Sequence, residues 1–312
     1  MVSARFGSVV TAMVTPFDEG GALALDRAVE LARHLESHGS DALVLAGTTG
    51  EGPVLSDQEK LDLFEAVASQ VTIPVLAATG SNDTAHSVGL TRRAAATGVA
   101  GLLVVTPYYN RPSPAGIAAH FRAIAQASDL PIVLYDIPVR TGRRIGTDQI
   151  VTLAREATTI VGLKDATGDV AGAARVAAAC PEGFDVYSGD DALTLPILSV
   201  GGVGVISVAA HWAGAAFGRM IRAFREGAVD EARAVNAALD ESYRFQSTAD
   251  HPNPVPAKAM CRALGLAVGQ CRLPHPPAPV ALDEEAAMVL DRLSAVRPEI
   301  LGASHGARQS VA

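Results

Sequence analysis

Eight short runs of apolar, largely β-branched residues recur along the chain. They are SVVTAMV from 8, DALVLA from 41, IPVLAA from 73, GLLVVT from 101, PIVLY from 131, IVGLK from 160, FDVYSG from 184 and GVGVISV from 202. Most are apolar on both faces, the pattern of strands covered on both sides in a parallel sheet. Amphipathic stretches separate them. In 25–38, Val29, Leu31, Ala32 and Leu35 fall on one side and charges on the other, and Ser56 with Glu59 forms a capping box for a helix over 56–70. Strand–helix alternation through eight units predicts an α/β fold, a (β/α)8 TIM barrel. A doubly wound dinucleotide fold is disfavoured, because no strand leads into a GxGxxG turn and GGVGVI at 201–206 enters a strand instead.

After about residue 226 the pattern becomes helical, at 231–245, 254–267 and 282–297, with the Pro-rich link 273–281 before the last. The expected organisation is a barrel over 1–226, a C-terminal helical appendage over 227–298, and a polar, Gly-rich mobile tail over 299–312. One stretch, 192–218, carries no fixed charge and is long enough to cross a bilayer. Pro196, the run GGVG and His211 interrupt it, so helix, buried strand and second helix explain it better. The N-terminus does not read as a signal peptide, and a cytoplasmic protein is expected.

Thirty-three acidic against 25 basic side chains, with no basic run, argue against nucleic acid or an anionic membrane as partner. Cys180, Cys261 and Cys271 are too few and too dispersed for a disulfide framework or a zinc cage. Only three of the basic residues are lysine. Lys60 falls on a charged helix face and Lys258 at the start of a C-terminal helix turn, whereas Lys164 ends an apolar strand.

In a barrel of this kind chemistry sits at the C-terminal ends of the strands. There the sequence places Thr15, the turn GTTGE (47–51), Thr79 to Asn82, Thr106 to Asn110, Tyr135 to Arg140, Lys164-Asp165, Gly189-Asp190-Asp191 and Ser207, with Tyr187 approaching the same rim. A lysine at a low-dielectric barrel mouth loses its proton more easily, and a neutral amine adds to ketones to form a Schiff base. The alternative is an ion pair with Asp165 or a loop carboxylate. Phenols and threonine hydroxyls beside it can relay protons, or simply pack loops. The GTTGE turn reads either as a tight turn with caps or as a backbone cradle for a carboxylate, and Arg140 as a surface charge or a carboxylate clamp. Asp190 and Asp191 read as caps of the following helix in preference to a metal pair.

GTTGE (47–51), TPYYNRPS (106–113), LYDIPVRTG (134–142), VGLKDATGD (161–169), YSGDDA (187–192) and GVISV (204–208), in this order, resemble the dihydrodipicolinate synthase family of class I pyruvate-dependent aldolases and lyases. The likeness runs from about Phe6 to the Pro-rich link. It implies Lys164 as the Schiff-base lysine for pyruvate and Tyr135 as its proton relay, with Thr48 and a Tyr109 inserted from a neighbouring subunit completing the relay. It further implies Thr49 for the pyruvate carboxylate, Arg140 for the carboxylate of L-aspartate 4-semialdehyde, and Gly189 and the main chain at Ile206 beside the bound keto acid. No metal or cofactor is implied, and a homotetramer is the family habit. Sister enzymes acting on sugar-derived keto acids share the lysine and tyrosine, and a non-catalytic sensor could retain the barrel. The paired threonines, YYN and Arg140 favour the synthase. Gly52 and Asp165 depart from common family residues without touching the chemistry. Asn82 and Tyr108 match residues of the family's L-lysine effector site, but His86 stands at the glutamate position, so weak or absent feedback inhibition is expected.

Overall fold

The computed structural model describes residues 4–296. Eight parallel strands close into a barrel in chain order: β1 (Val9–Ala12), β2 (Ala42–Leu45), β3 (Val75–Ala78), β4 (Gly101–Val105), β5 (Ile132–Asp136), β6 (Ile160–Asp165), β7 (Asp185–Ser188) and β8 (Gly204–Ser207), with β8 pairing back onto β1. The helices are α1 (Leu25–Ser37), α2 (Asp57–Ala68), α3 (Thr84–Ala94), α4 (Pro114–Ala125), α5 (Pro138–Thr141), α6 (Thr147–Glu156), α7 (Val170–Ala179), α8 (Thr194–Ser199), α9 (Ala210–Arg225), α10 (Val229–Ala238), α11 (Asp240–Phe245), α12 (Val255–Ala263) and α13 (Val280–Val296). The expected tail over 299–312 lies outside the described residues.

Two buried layers follow from the period of two along each strand. Outward residues such as Leu43, Leu102 and Leu134 join the helix-facing core, and inward ones such as Val44, Leu103 and Val133 fill the barrel. Local signals hold where they were strong. Ser56 accepts from the Glu59 amide while the Glu59 carboxylate accepts from the Ser56 amide, so α2 starts on a complete capping box. Helix α1 buries Ala28, Leu31, Ala32 and Leu35; Val29, expected in that stripe, is only half-buried. The uncharged stretch 192–218 resolves into α8, β8 and the start of α9. Among the described residues no helix is long and apolar enough to cross a membrane.

Strand β6 departs from regular pleating, and the departure sets the site. Ile132 pairs with Ile160, but Val133 pairs with Gly162, so one extra residue is accommodated in β6. Without it, alternation from the outward Ile160 would turn Leu163 inward and Lys164 outward. With it, Leu163 packs in the outer layer and Lys164 faces the barrel interior, its Nζ 4.4 Å from the centre of the Tyr135 ring. Gly162 is required at this place, since a Cβ there would lie 2.7 Å from the Asp185 carbonyl oxygen.

Beyond α9 the chain returns across the barrel mouth. Lys258 on α12 is fully buried, with Nζ 2.7 Å from Glu51 Oε1, donating to the Gln270 carbonyl at 2.9 Å and lying over the Phe17 ring. The Arg272 amide donates to Glu51 Oε2 at 2.8 Å, and its guanidinium donates to the Val54 carbonyl and to Glu59. The C-terminal helices are thereby tied to the turn after β2.

Candidate active site

Lys164 and Tyr135 occupy the same register level of neighbouring strands, each about 5% exposed. Burial pulls the Lys164 amine down to about 8; Arg140 pushes the same way, while Asp191 opposes. Burial drives the Tyr135 phenol up to about 12, against the Arg140 charge and a side-chain hydrogen bond with Thr48. The site therefore pairs an amine that sheds its proton near neutral pH with a phenol that keeps its own. That is the division needed for a nucleophile and a neutral proton relay.

The other expected site residues lie on β8 or in the segments that follow β2, β4, β5 and β7. Thr49 is buried at 3% exposure in the turn after β2, and Thr15 Oγ1 donates to the Gly50 carbonyl at 2.6 Å, bracing that turn. Ile206 lies in the barrel interior. Gly189 follows β7, and a Cβ there would meet Lys164 Cγ at 3.0 Å and Ala166 Cβ at 2.9 Å, so only glycine leaves the lysine its path. Arg140, on the short helix α5, is exposed, with one guanidinium nitrogen 3.5 Å from the Asn253 carbonyl oxygen.

Tyr109 is placed differently from the others. Its side chain is 89% exposed, and its backbone is left-handed at φ 72°. A bulky residue rarely takes that conformation, which costs about 1–3 kcal/mol. The loop is held on both sides, by Asn110 donating to the Asn82 carbonyl at 2.8 Å and Arg111 donating to the Gly142 carbonyl at 3.2 Å. Tyr109 and Tyr135 line one cavity of about 780 Å3, which extends from Thr48 and Arg140 to Asp57, Lys60, Asn82, His86 and Tyr108.

Two sequence expectations need correction. Tyr187 does not face the rim: it is fully buried and its hydroxyl donates to Asp185 at 3.4 Å, at the strand's starting end. Asp190 caps the turn before α8, but Asp191 does not cap its own helix. Its Oδ2 accepts from the amides of Val208 and Ala209 at 3.1 and 2.8 Å, joining β7 to the start of α9, while its charge acts on Lys164. Lys258, which reads in sequence only as a helix-turn lysine, is half of a buried ion pair with the last residue of GTTGE. Asn253 carries no sequence signal at all. It donates to Thr49 Oγ1 at 3.1 Å across 204 positions of sequence, a separation that no local pattern marks.

Among the described residues no cluster of three or more His, Cys, Asp or Glu side chains could hold a metal ion. His86 is instead tied to its neighbours, with Nε2 2.9 Å from the Asp57 carboxylate and Nδ1 3.1 Å from the Ser81 hydroxyl; Arg93 approaches the same carboxylate at 3.6 Å.

Comparison with known proteins gives the chain its family. The model of the dihydrodipicolinate synthetase family matches residues 5–292. A 4-hydroxy-tetrahydrodipicolinate synthase from Moorella thermoacetica is 48% identical over 86% of this chain and 92% of its own length, and one from Bacillus subtilis is 44% identical over 88% and 94%. The crystal structure of a dihydrodipicolinate synthase from Cyanidioschyzon merolae with lysine bound superposes with a TM-score of 0.90 at 41% identity, covering 94% of this chain and 99% of that one. By sequence over most of its length and by fold, the chain belongs to the dihydrodipicolinate synthetase family.

Proposed function

We propose that this protein condenses pyruvate with L-aspartate 4-semialdehyde to give 4-hydroxy-tetrahydrodipicolinate, as a lyase of lysine and diaminopimelate biosynthesis. The observation that carries the reading is the bulge-directed Lys164 amine, buried beside Tyr135 and held near pKa 8. The neutral Nζ adds to C2 of pyruvate, and water leaves to give the imine. Loss of a C3 proton then gives the enamine. The enamine carbon attacks the aldehyde carbon of the semialdehyde, forming the C–C bond as the aldehyde oxygen takes up a proton. The substrate's own amine next adds to C2 and expels Lys164, closing the ring.

Tyr135 carries protons to and from the imine centre through Thr48, and Tyr109 of a second subunit completes the relay. The exposed, conformationally strained Tyr109 supports that last assignment, since a side chain 89% exposed in one protomer is available to another. Thr49 holds the pyruvate carboxylate, with Gly189 and Ile206 shaping the space for the keto acid, and Arg140 binds the carboxylate of the semialdehyde. The assembly is a cytoplasmic homotetramer.

L-Lysine is a weak effector or none. An incoming ammonium would meet Lys60 and His86 in the cavity, and the nearby Asp57 carboxylate is already engaged by His86 and Arg93. Turnover with pyruvate and aspartate semialdehyde, set against pyruvate with sugar aldehydes, tests the substrate assignment. Turnover of the sugar partners alone would replace the synthase by a sugar-acid lyase.

A further inference from the structure

Asn253 precedes α12 and belongs to the C-terminal helical segment, yet its side chain reaches Thr49 in the turn after β2. It is 8% exposed, and Nδ2 donates to Thr49 Oγ1 at 3.1 Å. Among the described residues this is the one hydrogen bond its side chain makes; Oδ1 is buried with no donor. Its main-chain carbonyl faces Arg140 at 3.5 Å. The stretch carrying it is anchored five residues later by the Lys258–Glu51 pair, whose acid is in the same turn as Thr49. The C-terminal segment thus holds the GTTGE turn at Glu51, by the ion pair and the Arg272 amide, and at the Thr49 hydroxyl.

The direction of the hydrogen bond has a chemical consequence. A hydroxyl that accepts from an amide N–H has its own proton free to point elsewhere. We propose that Asn253 is a positioning residue, which fixes the Thr49 hydroxyl as a donor toward the carboxylate of the keto acid. The inference rests on Thr49 having the role given above. Asn253 touches no reacting atom; it acts on pyruvate affinity through Thr49. An aspartate side chain at this position would reverse the arrangement. An ionised carboxylate only accepts, so Thr49 would turn its proton toward that carboxylate and present lone pairs to the substrate.

The test uses the full chain with Asn253→Asp, Asn253→Ala, Thr49→Val and the Thr49→Val/Asn253→Ala double variant. Expected are a rise in KM for pyruvate of about 10–100-fold in Asn253→Asp, the scale of losing a hydrogen bond to a charged group, and a smaller rise in Asn253→Ala. The value of kcat, the KM for the aldehyde and the melting temperature stay close to wild type. The double variant is no worse than Thr49→Val alone, because the amide then has nothing left to orient. Losses in kcat and both KM values together with a lowered melting temperature, or additive effects of the two sites, would assign Asn253 a merely structural role and overturn the proposal. Borohydride trapping with saturating pyruvate separates the two levels. Asn253→Asp should still be labelled on Lys164, whereas absence of label in the wild type would remove the reading on which the proposal stands.

Discussion

The state of the buried amine can be read from the pH dependence of pyruvate capture. Lys164 is moved from 10.5 to about 8, mainly by desolvation, which corresponds to about 3 kcal/mol against the charged form. At pH 7 an amine of pKa 8 is neutral about one part in eleven, and one of pKa 10.5 about one in three thousand, so burial supplies roughly 300-fold more nucleophile. The folded pKa is depressed, so the reactive neutral form accumulates as pH rises through about 8. The quantity to measure is kcat/KM for pyruvate between pH 6 and 10, which reports ionisations of the free enzyme. It should climb with unit slope on a logarithmic scale and level off above about 8. Asp191→Asn adds a signed check. Its carboxylate favours the ammonium, so removing it should shift the rising limb to lower pH. A wild-type limb that rises to pH 10 without levelling, or a shift to higher pH in Asp191→Asn, would refute the electrostatic account.

The remaining expectations concern packing and regulation. Lys258→Met strands the Glu51 carboxylate in the interior and should cost about 3–5 kcal/mol in urea unfolding, with Glu51→Gln/Lys258→Met recovering part of the loss; a single variant as stable as wild type would contradict the buried pair. Gly189→Ala presses a methyl against Lys164 Cγ and should lower kcat by about 100-fold, the scale of a small misplacement of a reacting group; unchanged turnover would show that the lysine does not need that space. His211 is buried, accepts from the Val14 amide on Nε2, and is pulled by burial to about 4. The unfolded chain then binds the proton more readily, so this group's contribution is lost as pH falls from about 6.5 toward 4, about 2 kcal/mol by pH 5. His211→Gln should therefore flatten the difference between urea unfolding at pH 8 and pH 5 by that amount, and an unchanged difference would count against it. Finally, L-lysine at sub-millimolar concentration should leave turnover above half its uninhibited value, and half-maximal inhibition in that range would refute the argument from His86.

How much of this is legible in the sequence depends on the range of the interaction. The barrel is readable because each strand and helix announces itself through local periodicity and caps, as Ser56 and Glu59 do for α2. Lys164 stands out because lysine is scarce and because it closes an apolar run. Its inward aim is not legible, since alternation within β6 points the other way and only the extra residue near Gly162 corrects it. A glycine inside a strand is the signal that raises the question. Tyr187 misleads for the related reason that strand position alone gives the height of a side chain and not the end toward which its hydroxyl reaches. Glu51 with Lys258, and Thr49 with Asn253, are invisible because their partners are more than 200 residues apart and meet only after the chain has closed the barrel and returned.

The central claim is that Lys164 is the nucleophile toward pyruvate. Incubation with pyruvate and borohydride, followed by peptide mass mapping, tests it most directly. The account predicts one reduced pyruvyl adduct per chain, on the peptide containing Lys164, and none after Lys164→Arg. An adduct on Lys60 or Lys258 in its place, or no adduct at all, would contradict it.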